Sequence, residues 1–189
     1  MQSTRCRLAM YRKVKELDVQ IFRPIRAGIV PVVDLFGEKY YCFGVDHKYQ
    51  EITDFGGGIR YKRDENVLYG ALREFSEESL GIFGYISPTD LQEDDAIFDK
   101  DTLIIFHRDD EIDINRKAHL FSERYKRQTR PEVSDVIWFS HEEVKQLVYG
   151  ETPIRPNMHT YGCIHSNVQS FNMYDKIKWL LRQSRYFEK

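Results

Sequence analysis

Cysteine is scarce in this 189-residue chain: Cys6, Cys42 and Cys163 stand far apart, and no CxxC pair occurs. That spacing excludes a disulfide scaffold and a zinc knuckle and points to a reducing, cytoplasmic setting. Long apolar runs are also missing. No stretch of about 18 apolar residues is available to cross a bilayer, and the first twenty residues have no apolar leader core. A soluble protein with no membrane partner is expected. Neither sign of charge dominates: 28 Lys and Arg against 30 Asp and Glu leave a formal net charge of -2. Binding of nucleic acid through bulk positive charge is therefore disfavoured. Internal repeats and low-complexity tracts are absent, as are GxxxxGK[ST] and GxGxxG, which excludes a P-loop and a dinucleotide fold.

What is present is enough for a core. Hydrophobic residues make up 41% and aromatic residues 14% of the chain, which fits one globular domain with decorated ends. The expected division is a basic extension over 1–25, a domain over 26–150, and a loop with an amphipathic helix over 151–189 packed on that domain. Charge is blocky. Arg5, Arg7, Arg12, Lys13, Lys15, Arg23 and Arg26 make the start basic; residues 90–113 are acidic; Arg116, Lys117, Arg124, Lys126, Arg127 and Arg130 return to basic. Solvated faces are the plain meaning of such blocks, and a basic groove the sharper one.

Hydrophobic patterning predicts strands at Ala27–Leu35 and Tyr40–Val45, joined in a hairpin, with Pro31 suggesting an edge or a bulge. Further strands are expected at Ile52–Phe55, Ala96–Phe98, Thr102–His107 and Asp135–Phe139. Helical patterns cover Asn66–Leu80, Ile114–Arg127, His141–Val148 with Ser140 as N-cap, and Ser170–Gln183. Strands and helices mixed without a regular βαβ rhythm indicate an α/β or α+β class.

One segment carries chemistry: Gly56-Gly57-Gly58, then Glu65, then Arg73-Glu74-Phe75-Ser76-Glu77-Glu78. On a helix, Glu74, Glu77 and Glu78 share one face, and Val67, Leu68, Ala71, Leu72 and Phe75 form an apolar stripe on the other. Clustered carboxylates repel unless they are solvated or joined by a cation. Hard oxygen ligands of this kind suit Mg²⁺ or Mn²⁺, which in turn favour phosphate substrates. The glycine run after a strand lets the backbone approach a ligand closely.

This segment resembles the box of the Nudix hydrolase family, G-x5-E-x7-R-E-U-x-E-E-x-G-U. From Glu65 to Glu78 every fixed position matches. Gly58 and Glu65 enclose six residues instead of five, and Leu80 stands where the box has glycine, with Gly81 one residue later. The resemblance spans about residues 26–148. It implies an α/β/α sandwich around a mixed β-sheet, with the box as loop-helix-loop. It implies that Glu74, Glu77 and Glu78 ligate Mg²⁺ or Mn²⁺, aided by a carbonyl of Gly57 or Gly58. Arg73 would orient a glutamate, and Glu65 would bond across the loop-helix-loop. The general base would be Glu78, Glu123 or Glu132. His107 reads as a rim residue, and Phe22, Tyr49, Phe98 and Tyr161 as core aromatics sooner than base-stacking ones.

The activity implied is a pyrophosphohydrolase cleaving a nucleoside diphosphate linked to another moiety, with a small nucleotide as partner. Two alternatives stand beside it. One is hydrolysis of capped RNA 5′ ends, favoured by the basic blocks and by Lys176, Lys178, Arg182 and Arg185 near the C-terminus; in its loop and extensions the chain resembles Nudix proteins of large DNA viruses, some of which decap mRNA. The other is an inactive binding or sensor module, against which the intact Glu74, Glu77 and Glu78 argue.

Overall fold

The computed structural model describes residues 9–157 and 170–188. Its centre is a strand buried on both faces. β2 (Arg26–Leu35) reads as an almost continuous apolar run because helices cover both sides of it. Alternate side chains serve two cores: Ala27, Ile29 and Val33 face one, Val30 and Val32 the other. β3 (Glu38–Asp46) returns antiparallel after a two-residue turn, Phe36-Gly37, in which both residues have positive φ, 55° and 86°. That pairing of signs matches the twist of the flanking strands.

Six further strands complete one mixed sheet. β4 (Ile52–Thr53) pairs with β3, and β5 (Phe55–Gly58) with the first half of β2. β6 (Asp95–Phe98) and β7 (Thr102–Arg108) form a hairpin, and β7 lies parallel to β2. β8 (Val133–Ser140) flanks β3, and β1 (Met10–Lys13) flanks β6. The strand order is β1-β6-β7-β2-β3-β4, with β5 on β2 and β8 on β3. The segment 52–58 is thus a wedge driven between β2 and β3.

Pro31 sits at the tip of that wedge. β2 pairs with β5 as far as Ile29 and with β3 from Val32. The expected edge or bulge is corrected accordingly: Pro31 lies inside the sheet, where β2 changes partner on that side and no ladder donor is required of it.

Among the described residues, four helices sandwich the sheet. α1 (Val67–Glu78) and α2 (Ile114–Tyr125) bury Val67, Leu68, Ala71, Phe75, Ile114 and Phe121 in the first core. α3 (His141–Tyr149) and α4 (Asp175–Ser184) bury Val144, Leu147, Val148, Ile177, Leu180 and Leu181 in the second. The stripe expected on α1 is the one it buries. The C-terminal segment is more than a surface helix: Phe171 and Met173 are buried, and Ile52 exchanges backbone bonds with Asn172 and Tyr174.

The described part of the basic start is likewise built into the sheet, as β1. Val14 is buried, Lys13 pairs with Asp95 at 2.6 Å, and Lys15 pairs with Glu93 at 2.8 Å. The first basic block and the acidic run thus meet across the β1–β6 edge. Among the described residues no helix is long and apolar enough to cross a membrane.

α3 begins with a capping box, in which the Ser140 hydroxyl accepts from the Glu143 N–H and the Glu143 carboxylate from the Ser140 N–H. Ser140→Ala is expected to cost about 1 kcal/mol, read as a lower urea midpoint with an unchanged m-value.

Candidate functional site

The loop between β5 and α1 is tied to the helix by one guanidinium. Arg73 donates from Nε to Asp64 Oδ1 at 3.0 Å, from Nη2 to Asp64 Oδ2 at 2.9 Å and to the Gly58 carbonyl at 3.1 Å, and from Nη1 to Glu74 Oε1 at 2.6 Å. Asp64 is buried and also accepts from the Arg60 N–H. Its hydrogen bond from Arg73, opposed by burial, holds its pKa below the ordinary value.

The cross-loop contact expected of Glu65 is therefore made by Asp64, and Glu65 is exposed. The sequence contained the signal: a five-residue spacer counted forward from Gly58 is followed by Asp64, whereas a seven-residue spacer counted back from Arg73 is preceded by Glu65. Arg73 does orient a glutamate, Glu74. At the other end of α1, Leu80, standing where the box has glycine, takes φ 54°, and Gly81 follows at 64°.

The glycine run brings the strand against these carboxylates. A Cβ on Gly57 would lie 2.5 Å from Glu74 Oε2, so the absence of a side chain there lets Glu74 pack on the strand. Gly58 is less constrained: a Cβ there would meet open space, and its carbonyl is taken by Arg73. Gly56 donates its N–H to Glu78 Oε2 at 2.8 Å.

Glu78 is the electrostatically unusual group. Burial, joined by the charge of Asp54, pushes its pKa from 4.5 to about 8. The Gly56 N–H and Arg26 pull it down, and Glu132 adds to the rise. Asp54 is fully buried between β4 and β5 and is held by Arg26 at 2.6 and 2.9 Å. Neither Asp54 nor Arg26 stood out in the sequence, where each is an ordinary charged residue beside a strand.

Glu74, Glu77 and Glu78 line one cleft of about 180 Å³, completed by Leu80, by Gln128, Arg130, Pro131 and Glu132 of the loop before β8, and by Val133 at the start of β8. The structure thus brings Glu132 to the glutamates of α1. The other base candidate, Glu123, is on α2, pairs with His119 and does not line the cleft. His107 is not a rim residue: it is buried, with Nδ1 2.6 Å from Asp94 Oδ2. Phe98 is buried with Phe22 packed edge-on, Tyr49 is exposed under Lys48, and Tyr161 lies outside the described residues. Cys42 is buried, and burial pushes its thiol pKa well up, consistent with an inert core residue.

Among the described residues no group of three or more His, Cys, Asp or Glu is gathered closely enough to hold a metal ion. The side chains explain why: Glu74 is turned to Arg73, Glu78 to Gly56, and Glu77 is exposed. The donor chemistry nonetheless suits a hard cation. Four carboxylates line the cleft against the one cation Arg130, and Glu78 meets the negative field of Asp54 and Glu132.

The pH dependence follows in sign. Glu78 holds its proton to about pH 8 when folded, against 4.5 for the ordinary group. The folded state binds more protons between those values, so stability is lost as pH rises through that window. In chelator, the stability of Glu78→Gln relative to wild type should increase steadily from pH 5 to 8.5, measured by urea unfolding; a flat difference would contradict the burial of this carboxyl.

No protein-family model matches the chain, and no curated protein matches it.

Proposed function

We propose that this protein is a Nudix-type hydrolase that uses Mg²⁺ or Mn²⁺ to cleave a phosphoanhydride bond in a nucleoside diphosphate linked to another moiety. One observation carries the reading: the three box glutamates and Glu132, from distant parts of the chain, line a single cleft that also contains Arg130. The loop-helix-loop of Gly58, Asp64 and Arg73 supports it, as does a mixed sheet with helices on both faces.

Glu74, Glu77 and Glu78 would hold the cation. When bound, it supplies charge neutralisation at phosphoryl oxygens and a lowered pKa for a coordinated water. The residues of the chain do the rest. Arg73 positions Glu74, which rests against Gly57. Glu78, with Oε2 engaged by Gly56 and the cation drawing it into its ionised form, would be the general base. It takes a proton from the attacking water as the water oxygen bonds to phosphorus. The bridging P–O bond breaks, and the departing phosphate leaves with the electron pair, its charge met by Arg130. Glu132 shares the cleft and is the second base candidate.

Capped RNA is the second reading, because Arg130, the end of a basic block, lines the cleft. Part of that block is committed elsewhere. Arg124 donates to the Leu80 carbonyl at 2.6 Å and Lys117 to that of Ile82 at 2.9 Å, so both cations clamp the loop after α1. This favours the small substrate.

Hydrolysis should be screened with Mg²⁺ and with Mn²⁺ across nucleotide sugars, nucleoside triphosphates, ADP-ribose, dinucleoside polyphosphates and capped RNA. Glu77→Gln and Glu78→Gln should each lower kcat by about 10² or more, with thermal stability near wild type at pH 6. Gly57→Val should do likewise, by displacing Glu74. Wild-type turnover in all three would remove the assignment. For the RNA reading, Lys126→Glu with Arg127→Glu should leave small-substrate hydrolysis intact. A salt-sensitive capped-RNA activity lost in this pair would favour decapping.

A further inference from the structure

Four hydrogen bonds in three successive links run behind the cleft to Glu78, through Asp54, Arg26 and Gly56, which do not line it. Asp54 receives Arg26 through both oxygens, at 2.6 and 2.9 Å. Arg26 Nη2 also donates to the Gly56 carbonyl at 3.0 Å, and the Gly56 N–H donates to Glu78 Oε2 at 2.8 Å. The peptide groups flanking Gly56 are therefore gripped from the sheet side by the ion pair and from the helix side by the glutamate.

Space has been cleared for this arrangement. Gly28 lies directly opposite Gly56 in the β2–β5 ladder. A side chain on Gly28 would strike the Asp54 carboxylate, and one on Gly56 would strike the backbone of Gly28 and Ala27.

An ion pair buried in this way is a poor device for stability. Desolvating both charges costs roughly what their attraction returns, and well-packed apolar side chains commonly do as well or better. What the pair offers is geometry, since a planar guanidinium can hold a carboxylate and a carbonyl at fixed angles at once.

We propose that Arg26 and Asp54 are positioning residues for Glu78, acting through the backbone of Gly56 without touching the substrate. This rests on the reading that Glu78 works on a phosphoanhydride. Its counterpart is Arg73, which fixes Glu74 from the loop side, so each of the two half-buried or buried box glutamates has its own arginine-based brace.

The decisive variant is Arg26→Met with Asp54→Leu, which removes both charges together and leaves neither unpaired. Unfolding free energy should stay near or above wild type, while kcat falls by about tenfold to a hundredfold and KM changes little. Two readouts do not require turnover. Amide hydrogen exchange at Gly56 should accelerate at least tenfold, and Mn²⁺ affinity, titrated by electron paramagnetic resonance, should weaken. If the double variant fails to fold, Asp54→Asn, which keeps the shape and one acceptor, should show the same three changes in smaller measure. Arg26→Lys should fail to restore kcat, because an ammonium cannot span both partners.

Unchanged kcat, Gly56 exchange and Mn²⁺ affinity in a folded double variant would overturn the proposal and leave the hydrolase reading standing. A wild-type protein that hydrolyses none of the substrates would remove the hydrolase reading; weakened Mn²⁺ affinity and faster Gly56 exchange in the double variant would still show the brace acting on Glu78. Wild type that neither hydrolyses nor binds Mn²⁺ would remove both.

Discussion

A carboxylate with no access to water, Asp54 at the join of β4 and β5, is the constraint around which this fold is arranged. Such a group must be paired and hydrogen-bonded. Arg26 reaches it from the neighbouring strand, which requires β5 to lie against the first half of β2, and β5 in turn displaces β3 to the second half. The fork in the sheet, the placement of Pro31 at its tip and the two facing glycines all follow. The same wedge carries Gly56–Gly58 to the last turns of α1, where Glu74 and Glu78 receive the backbone.

Charge is handled locally and by opposites throughout. Arg73 joins Asp64 and Glu74, Arg26 joins Asp54, and Lys13 of the first strand joins Asp95 of the sixth. Exposed pairs such as Lys15 with Glu93 contribute little by themselves. Asp64 and Asp54 are different: removing either partner would strand a buried charge. The cleft is where this neutralisation is left incomplete, with four glutamates facing one arginine.

Much of the fold was legible because it is periodic. The α1 stripe, the apolar runs of β2 and β3, and the serine before α3 are signals written within a few residues of one another. The glutamate face of α1 was legible for the same reason. What escaped depends on partners far along the chain. Nothing near Met10–Lys13 announces a strand, because its order comes from β6, 84 residues away at the Tyr11–Asp95 bond. Pro31 misled because the rule for proline concerns hydrogen bonding, and the local sequence cannot show that β2 changes partner there. Asp64 was overshadowed by Glu65 because a spacing rule can be counted from either end of an irregular loop. Glu132 was named on its position before a strand, and the topology places it beside α1.

Asp95 accepts hydroxyls from Tyr11 and from Tyr186, whose rings lie 5.3 Å apart. One side chain thus fastens the first strand to the last described turn, and Phe187 closes the second core beside it. In vectorial synthesis this clasp cannot close before Tyr186 has been added. Phe171, Met173, Leu180 and Leu181 complete the second core, which a span ending at residue 150 would leave open on their side. The cleft glutamates lie across the sheet from this clasp, and the two are joined through β2, whose alternate side chains serve both cores.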